Sequence, residues 1–338
     1  MSGALVVSLD FEKQWGVRDR PIDGPYRANI LGVPGSVRGS LDLFRAFDVA
    51  ATWAIVGFLF ARTREEREHY SPAIRPKYAN PLLDPYRDVT GADEETDPAH
   101  YAASLIREIA ATPRQEIGTH TFSHFFCLES GEDMTEAFRA DIASAREIMR
   151  ATIGTEPRSI VFPGNQHNPL FDAVLREAGI TCYRGNPRAW MWRPRGRDAS
   201  AALGARAARF LDAYLPLAGM HTVSWDSIVH PDGMRDVASS FFMRPYSGGV
   251  RMRRIIDALV HAARRDQVLH VWWHPHNFGV DTEVHLRALR TLLDAFARCR
   301  DQFGMESLTM SEIADAAARR ATPPRELLVG RRRAATGS

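Results

Sequence analysis

Short apolar runs alternate with longer amphipathic stretches along most of the chain, and this alternation limits the possible folds more than any other feature. Strands that are buried on both faces read as short apolar runs, whereas the helices between them repeat with a period near 3.6 residues. Successive βα units of this kind form a largely parallel sheet that helices cover. The sequence therefore predicts an α/β fold.

The apolar runs predict about seven strands, at residues 4–9, 50–56, 116–119, 159–162, 180–183, 221–224 and 268–273. The amphipathic stretches predict helices at residues 40–47, 101–111, 134–152, 170–178, 201–211, 251–265, 283–303 and 311–319. About seven strands with intervening helices favour a distorted (β/α) barrel over an open sheet.

The domain organisation follows from the same pattern. A chain of 338 residues is long enough for one large barrel, and residues 1–320 are predicted to form a single domain. Residues 62–99 are polar and rich in proline, so they are predicted to be a long insertion over one face, where loops often line substrate sites. Residues 321–338 are predicted to form a flexible basic tail.

Composition excludes several classes of protein. Lys and Arg together number 43 against 41 Asp and Glu, so no strong field attracts nucleic acid or an anionic membrane. The three cysteines are widely spaced and indicate neither a disulfide framework nor a thiolate zinc site. The N-terminus lacks the pattern of a signal peptide, and no apolar run is long enough to span a membrane. We expect a cytoplasmic protein without nucleic-acid or membrane partners; the sequence does not specify its oligomeric state.

The first chemistry-bearing segment is the apolar run that ends in Asp10 and Glu12, with Phe11 between them. Side chains two positions apart on a strand point to the same side, and α/β barrels do their chemistry at the carboxyl ends of strands. The alternative is that an acid at the strand end only caps the following turn.

The second segment contains His120 and His124, four positions apart, directly after a predicted strand. If a helix begins there, both imidazoles project from one face with Cβ atoms about 5–6 Å apart, which suits two ligands of one divalent ion. Histidines that only satisfy buried hydrogen bonds are the alternative.

The third segment is an apolar strand that ends in His274, Pro275 and His276. Proline interrupts the ladder of backbone hydrogen bonds, so both histidines are expected at the carboxyl end of the sheet. An imidazole there could deliver a proton to a leaving group. Two histidines in an ordinary turn would look the same in sequence.

Together these segments resemble the polysaccharide deacetylase superfamily, also called the NodB-homology or carbohydrate esterase type. The resemblance extends from about residue 5 to residue 317 and is greatest to a cytoplasmic branch associated with surface polysaccharides. It rests on the order and spacing of Ser-Leu-Asp-Phe-Glu, His-Thr-Phe-Ser-His, Val-Phe-Pro-Gly-Asn-Gln and Trp-Trp-His-Pro-His-Asn-Phe. It implies a distorted (β/α) barrel and an active site that contains a metal.

The resemblance also implies roles for individual residues. His120 and His124 match the metal-binding histidines, Glu12 the carboxylate ligand, Asp10 the base that activates water and His274 the acid. Asp10 as the ligand is the rival assignment, because Phe11 separates two acids that are adjacent in many members. Two histidines and a carboxylate suit Zn²⁺, and also Co²⁺, Fe²⁺ or Ni²⁺.

One departure concerns Gly164, which stands where close relatives carry an arginine that holds the base. Without a guanidinium nearby, the pKa of the base should rise. Arg184 and Arg244 are candidate substitutes, and Asn165 could bond the acid or the substrate. His276 is the alternate proton donor. The predicted substrate-binding residues are Asn165, Arg184, Arg244 and His276.

The sequence therefore predicts a metal-dependent hydrolase that removes an N-acyl group, most simply acetyl, from a small amino-sugar-like intermediate. Gly164 and the insertion leave an alternative, in which the enzyme cleaves or rearranges another C–N bond in a specialised metabolite. A non-catalytic binding protein is a third hypothesis, because a fold does not establish an activity.

Overall fold

The computed structural model describes residues 2–129, 132–192, 196, 204, 212, 219–246 and 248–321. Strands in this part are β1 (Ala4–Phe11), β2 (Ala51–Ile55), β3 (Gln115–Thr119), β4 (Ser159–Ile160), β5 (Cys182–Tyr183), β6 (Arg235–Asp236), β7 (Phe241–Phe242), β8 (Val268–Trp273) and β9 (Glu306–Ser307). They form one parallel sheet with the order β6-β5-β4-β3-β2-β1-β8-β7, and β9 pairs with β1. The sheet curls into a half-barrel, which confirms the predicted distorted (β/α) barrel.

Strand β1 lies at the centre of the sheet and is buried along its whole length. It pairs with β2 on one side and with β8 on the other, so Ser8 lies opposite both Thr52 and Trp272. Burial on both faces explains why this strand reads as an almost continuous apolar run.

The helices pack against the sheet and are α1 (Arg27–Leu31), α2 (Val33–Phe47), α3 (Arg64–Tyr70), α4 (Ala103–Ala110), α5 (Thr135–Ile153), α6 (Asp172–Glu177), α7 (Gly249–Arg264), α8 (Thr282–Phe303) and α9 (Met310–Ala321). Helix α2 begins seven positions before its predicted start, because Val33, Val37 and Leu41 continue its buried face toward the N-terminus. No described helix combines the length and the apolar character needed to cross a membrane.

Some predicted elements differ from the structure. Residues 221–224 contain no strand and contribute only an isolated antiparallel bridge between Val223 and Val268. The strands β6, β7 and β9 have two residues each and show no periodicity that a sequence pattern can detect. The helix predicted at 201–211 and almost all of the predicted tail at 321–338 lie outside the described residues.

The segment predicted as an insertion, residues 62–99, contains α3 and short 3₁₀ turns. Thr63 caps α3 by accepting a hydrogen bond from the Glu66 N–H. The hydroxyl of Tyr78 accepts a hydrogen bond from the Phe126 N–H at 3.0 Å, and the Ala79 N–H donates to the Glu129 carbonyl at 3.2 Å. The segment therefore packs against the loop that follows β3.

Candidate metal centre and catalytic site

The carboxyl ends of β1, β3, β5 and β8 bring five side chains with polar or charged groups together. Strand β1 supplies Asp10 and leads into Glu12, while His120 and Arg184 directly follow β3 and β5 and His274 follows β8. Parallel strands place their carboxyl ends at one edge of a sheet, so residues far apart in sequence meet there.

Glu12 lies between the two predicted metal-binding histidines. Its Oε2 atom is 3.2 Å from Nε2 of His120 and 3.0 Å from Nε2 of His124. Nδ1 of His120 is 2.7 Å from the carbonyl oxygen of Val161, and since a carbonyl only accepts, the ring proton lies on Nδ1. The other ring nitrogen of His120, Nε2, therefore faces a carboxylate oxygen of Glu12, an arrangement that a cation shared by the two atoms would fit.

These three side chains fit a divalent ion. All of them are buried, and their ligand atoms lie within 4.8 Å of one another. Burial lowers the pKa of His124 to about 4, although Glu12 opposes the shift. Burial would raise the pKa of Glu12, but the charge of His274 and the hydrogen bonds of the other two histidines hold it well below its ordinary value. A neutral His124 and an ionised Glu12 are the forms that bind metals.

The histidines lie on a loop, so the condition that a helix begins directly after β3 is not met. Thr121 and His124 have left-handed backbone conformations, with φ values of 63° and 57°. The carboxylate of Asp141, on α5, accepts hydrogen bonds from the N–H groups of Phe122 at 2.6 Å and Ser123 at 3.1 Å, and from the Ser123 hydroxyl. This loop still brings the two histidine rings to a centroid distance of 5.1 Å.

Asp10 is paired with Arg184. Two hydrogen bonds of 2.6 and 2.7 Å join the guanidinium to both carboxylate oxygens, and Arg184 also donates to Oδ1 of Asn165 at 3.0 Å. Burial would raise the pKa of Asp10, but the charge and hydrogen bonds of Arg184 lower it below its ordinary value. The absence of an arginine at position 164 predicts a raised pKa for Asp10. This rise does not occur, because the guanidinium of Arg184, which directly follows β5, contacts Asp10.

His274 faces both acids. Its Nε2 atom lies 3.4 Å from Oε1 of Glu12 and 3.7 Å from Oδ2 of Asp10. Its Nδ1 atom lies 3.2 Å from Oδ1 of Asn277, whose amide nitrogen donates to the hydroxyl of Tyr26. Because Oδ1 of an amide only accepts hydrogen bonds, Nδ1 of His274 is the donor in its contact with Asn277. The other ring nitrogen, Nε2, faces the two acids. The side chain is 21% exposed, so a substrate can reach it.

The other predicted substrate-binding residues have different surroundings. His276 is 3% exposed and its ring stacks on His274, and burial lowers the pKa of His276 to about 3. Asn165 and Arg244 lie in the wall of a neighbouring cavity. Arg184 is 1% exposed and contacts Asp10, so its position suits support of the base better than contact with substrate. The roles of these residues remain predictions.

The chain resembles known proteins in sequence and in fold. Residues 23–183 match the family model described as polysaccharide deacetylase. This part of the chain is similar to the polysaccharide deacetylase family. This result confirms the resemblance, and the family indicates a hydrolase with deacetylase chemistry. The match does not include Asp10, Glu12 or His274, so the geometry alone places these three beside His120 and His124.

At least two solved structures share the fold of this chain. One is a Mycobacterium smegmatis protein assigned to the polysaccharide deacetylases, with 14% identity, a TM-score of 0.58, and coverage of 96% of this chain and 94% of that one. The other is Puue allantoinase, with 13% identity, a TM-score of 0.53, and coverage of 95% and 91%. At these identities the likeness shows the fold alone. Among curated proteins, no sequence matches.

Sequence reasoning missed some residues that support the candidate site. Asp141 is fully buried on the apolar face of α5, between Phe138 and Ile142, and a lone acid on such a face is a detectable signal. His270 lies 2.8 Å from the Ser8 hydroxyl, which also accepts a hydrogen bond from the guanidinium that holds Asp10. Only the fold reveals the contact between Ser8 and Arg184.

Proposed function

We propose that the protein is a metal-dependent hydrolase that removes an N-acyl group, most simply acetyl, from an amino sugar or a sugar-containing biosynthetic intermediate. The observation that carries this proposal is the convergence of Glu12, His120 and His124, whose facing atoms lie 3.0 and 3.2 Å apart. Asp10 and His274 lie beside this group, where a base and an acid are needed.

A divalent ion held by Glu12, His120 and His124 would polarise the amide carbonyl and make bound water more acidic. The Asp10 carboxylate, kept ionised by Arg184, accepts a proton from the attacking water. His274 gives a proton to the amide nitrogen as the C–N bond breaks. The products are a carboxylic acid, which is acetate for an acetyl group, and a free amine.

Zinc is the metal that we propose, because a carboxylate and two imidazoles are common zinc ligands in catalytic sites that keep an open position. Cobalt, iron or nickel would also fit the same donors. The buried and preformed arrangement of the three side chains supports a resident ion over a transient one.

The test is acetate release from N-acetylated sugars and sugar nucleotides, with zinc or cobalt added. The wild-type protein should release acetate, and His120→Ala should abolish the release because one ligand is lost. His69→Ala is the control, since His69 is exposed on α3 and should leave the rate unchanged. Absence of release by the wild type, or equal release by the His120 variant, would refute the proposal.

The second candidate function is the cleavage or rearrangement of another C–N bond in a specialised metabolite. It is favoured by Gly164, which has no side chain at the position where the resemblance implies an arginine; a Cβ there would lie 3.5 Å from Phe126 and 3.6 Å from Gln166. The contact of Arg184 with both oxygens of Asp10 weighs against it, because the base already has its guanidinium. Gly164→Arg separates the two: a gain in acetate release would indicate a weakened deacetylase, and loss of a different activity would indicate new chemistry.

A non-catalytic binding protein is the least favoured hypothesis. A decayed site usually loses at least one of its reacting groups, whereas Asp10, Glu12, His120, His124 and His274 are all present and close together. Release of acetate by the wild-type protein in the same assay would refute this hypothesis as well.

A further inference from the structure

The segment before α2 packs closely against the turn that follows β8. Gly32 and Gly279 meet there without side chains, because a Cβ on Gly32 would collide with the backbone of Gly279. The side-chain amide of Asn29 also donates a hydrogen bond to the carbonyl oxygen of His276 at 3.2 Å. These contacts bring Tyr26, the residue before α1, beside the turn that carries the proposed acid.

Two neighbours hold the ring of Tyr26 in place. The ring centroid lies 5.6 Å from that of His276 in an edge-to-face arrangement, and the guanidinium carbon of Arg20 lies 4.2 Å from it. Neither contact involves the hydroxyl group of Tyr26. The side chain is half-buried, so a ligand can still reach it.

The hydroxyl of Tyr26 ends a chain of hydrogen bonds that begins at the proposed acid. Nδ1 of His274 donates to Oδ1 of Asn277 at 3.2 Å, and the amide nitrogen of Asn277 donates to the Tyr26 hydroxyl at 3.1 Å. The hydroxyl oxygen is therefore the acceptor in this contact, and its own proton can be donated to another group. Among the residues that the structure describes, none accepts that proton.

Tyr26 keeps this proton at neutral pH. Burial raises the pKa of its hydroxyl above the ordinary value of 10.0, although the hydrogen bond from Asn277 and the charge of Arg20 oppose the shift. The negative charge of Glu12 adds to the rise. A protonated phenol is an uncharged donor, so it suits an uncharged oxygen atom as its acceptor.

The position of this donor matches one part of the substrate. In amide hydrolysis the acid protonates the nitrogen, so the amine fragment lies on the side of the acid. Only the side chain of Asn277 separates the Tyr26 hydroxyl from His274, so the donor lies near the part of the fragment that carries the nitrogen. We propose that Tyr26 is a substrate-binding residue whose hydroxyl donates a hydrogen bond to a substrate hydroxyl on the carbon next to the nitrogen-bearing carbon. The inference rests on the proposed function for the position of the nitrogen only.

This contact gives Tyr26 a role in specificity. A substrate hydroxyl has two lone pairs, so it can accept from Tyr26 and still bond elsewhere. An amine without an oxygen at that position leaves the Tyr26 proton without an acceptor, and it binds less tightly. The site therefore selects amino alcohols, which include amino sugars, over simple amines.

The experiment measures the binding of three amines: glucosamine, its 1-deoxy analogue and its 3-deoxy analogue. The two analogues each lack the hydroxyl on one neighbour of the carbon that carries the nitrogen. Each amine is titrated by calorimetry into the zinc-loaded protein. Because one hydrogen bond is lost, the wild-type protein should bind one of the two analogues about fivefold less tightly than glucosamine. The weaker analogue identifies the hydroxyl that Tyr26 contacts.

Two variants locate the contact. Tyr26→Phe keeps the ring and removes the hydroxyl, so it should bind glucosamine about fivefold less tightly and bind the weaker analogue as well as glucosamine. Tyr70→Phe is the matched control, since Tyr70 is also half-buried but lies on α3, and it should behave as the wild type. The preference is a ratio of two affinities on one preparation, so partial unfolding of a variant does not change it.

Three outcomes would overturn the proposal: equal binding of the three amines by the wild type, no binding of any, or the wild-type preference retained in Tyr26→Phe. The third outcome is the one expected if Tyr26 only orients His274 through Asn277.

Failure of this inference and failure of the proposed function are distinguishable. A preference that depends on Tyr26, without acetate release from any N-acetylated compound, would keep the contact and refute the deacetylase. Acetate release that depends on His120, with the same preference in wild type and Tyr26→Phe, would keep the deacetylase and refute the contact.

Discussion

Asp10 and Arg184 form a buried ion pair through two short hydrogen bonds, although Asp10 lies on β1 and Arg184 directly follows β5. The guanidinium also lies over the ring of Trp272, with its central carbon 4.1 Å from the ring centroid. Such an arrangement fixes the orientation of the Asp10 carboxylate. It also gives Asp10, the proposed base, an opposite charge that does not depend on position 164.

Replacing Arg184 tests this support. Arg184→Ala leaves the Asp10 carboxylate buried without its partner, which should cost about 3–5 kcal/mol of unfolding free energy. The pKa of Asp10 is lowered in the wild type, and burial would raise it once the arginine is gone. The acidic limb of the kcat/KM profile should therefore move to higher pH. Arg184→Lys should restore part of the shift, and an unchanged profile in the Ala variant would contradict the pairing.

Lys13 is a buried cation beside the site, 3% exposed, and its amino group donates to the Tyr101 carbonyl at 3.2 Å. Burial lowers the pKa of Lys13 to about 8, while Glu94 and Asp97 oppose the shift. Between pH 8 and the ordinary value of 10.5, the unfolded chain binds a proton that the folded chain has released. The contribution of Lys13 to stability therefore rises with pH through this window.

Denaturant unfolding at pH 7 and pH 10 measures this contribution. The difference in unfolding free energy between wild type and Lys13→Met should change by up to roughly 3 kcal/mol between the two pH values, in favour of the wild type at pH 10. Lys77→Met is the control, because Lys77 is exposed and should show almost no such change. A constant difference for Lys13→Met would contradict a lowered pKa.

At the scale of single elements, the loop after β3 holds both histidines without a helix. Its shape depends on Asp141 of α5, which accepts hydrogen bonds from two consecutive backbone N–H groups of the loop. Asp141 is fully buried, and burial raises its pKa to about 6, although the same hydrogen bonds oppose the shift. The left-handed conformations of Thr121 and His124 persist because these contacts fix the backbone around them.

Asp141 should therefore determine metal affinity without touching the metal. Asp141→Asn keeps the shape of the side chain but loses one acceptor, and zinc affinity should fall about 10–100-fold. The measurement is zinc competition with a chelating dye, together with thermal unfolding of the zinc-free protein to detect general damage. Glu147→Gln, exposed on the same helix, is the control. Equal affinity in both variants would mean that the loop holds its shape unaided.

The insertion supports the same loop from outside. The Tyr78 hydroxyl accepts from the Phe126 N–H, and the ring of Tyr78 lies 6.1 Å from that of Phe125. These contacts support a role of residues 62–99 in shaping the loop after β3. The predicted role of the same residues in lining the substrate site stays a prediction.

At the scale of the whole molecule, the sequence predicts the residues that follow apolar strands. A long buried strand has a clear apolar pattern, and the carboxyl ends of parallel strands meet at one edge of the sheet. This reasoning predicts that Asp10, His120 and His274 lie together. The two-residue strands β4 and β5 lie within predicted apolar runs, whereas β6, β7 and β9 lie outside every predicted run and are missed.

The contacts between distant segments are what the sequence predicts least well. Arg184 was a candidate partner of the base, but only the curl of the sheet shows that it reaches both oxygens of Asp10. The contact between Asp141 and the histidine loop depends on how α5 packs, which periodicity does not encode.

The most direct test of the metal centre is a crystal structure of the protein with zinc, using anomalous scattering to locate the ion. We expect one ion with about 2.0–2.2 Å to Nε2 of His120, Nε2 of His124 and a carboxylate oxygen of Glu12, while Asp10 keeps both bonds to Arg184. An ion bound elsewhere, or one that takes Asp10 away from Arg184 as its carboxylate ligand, would contradict the assignment.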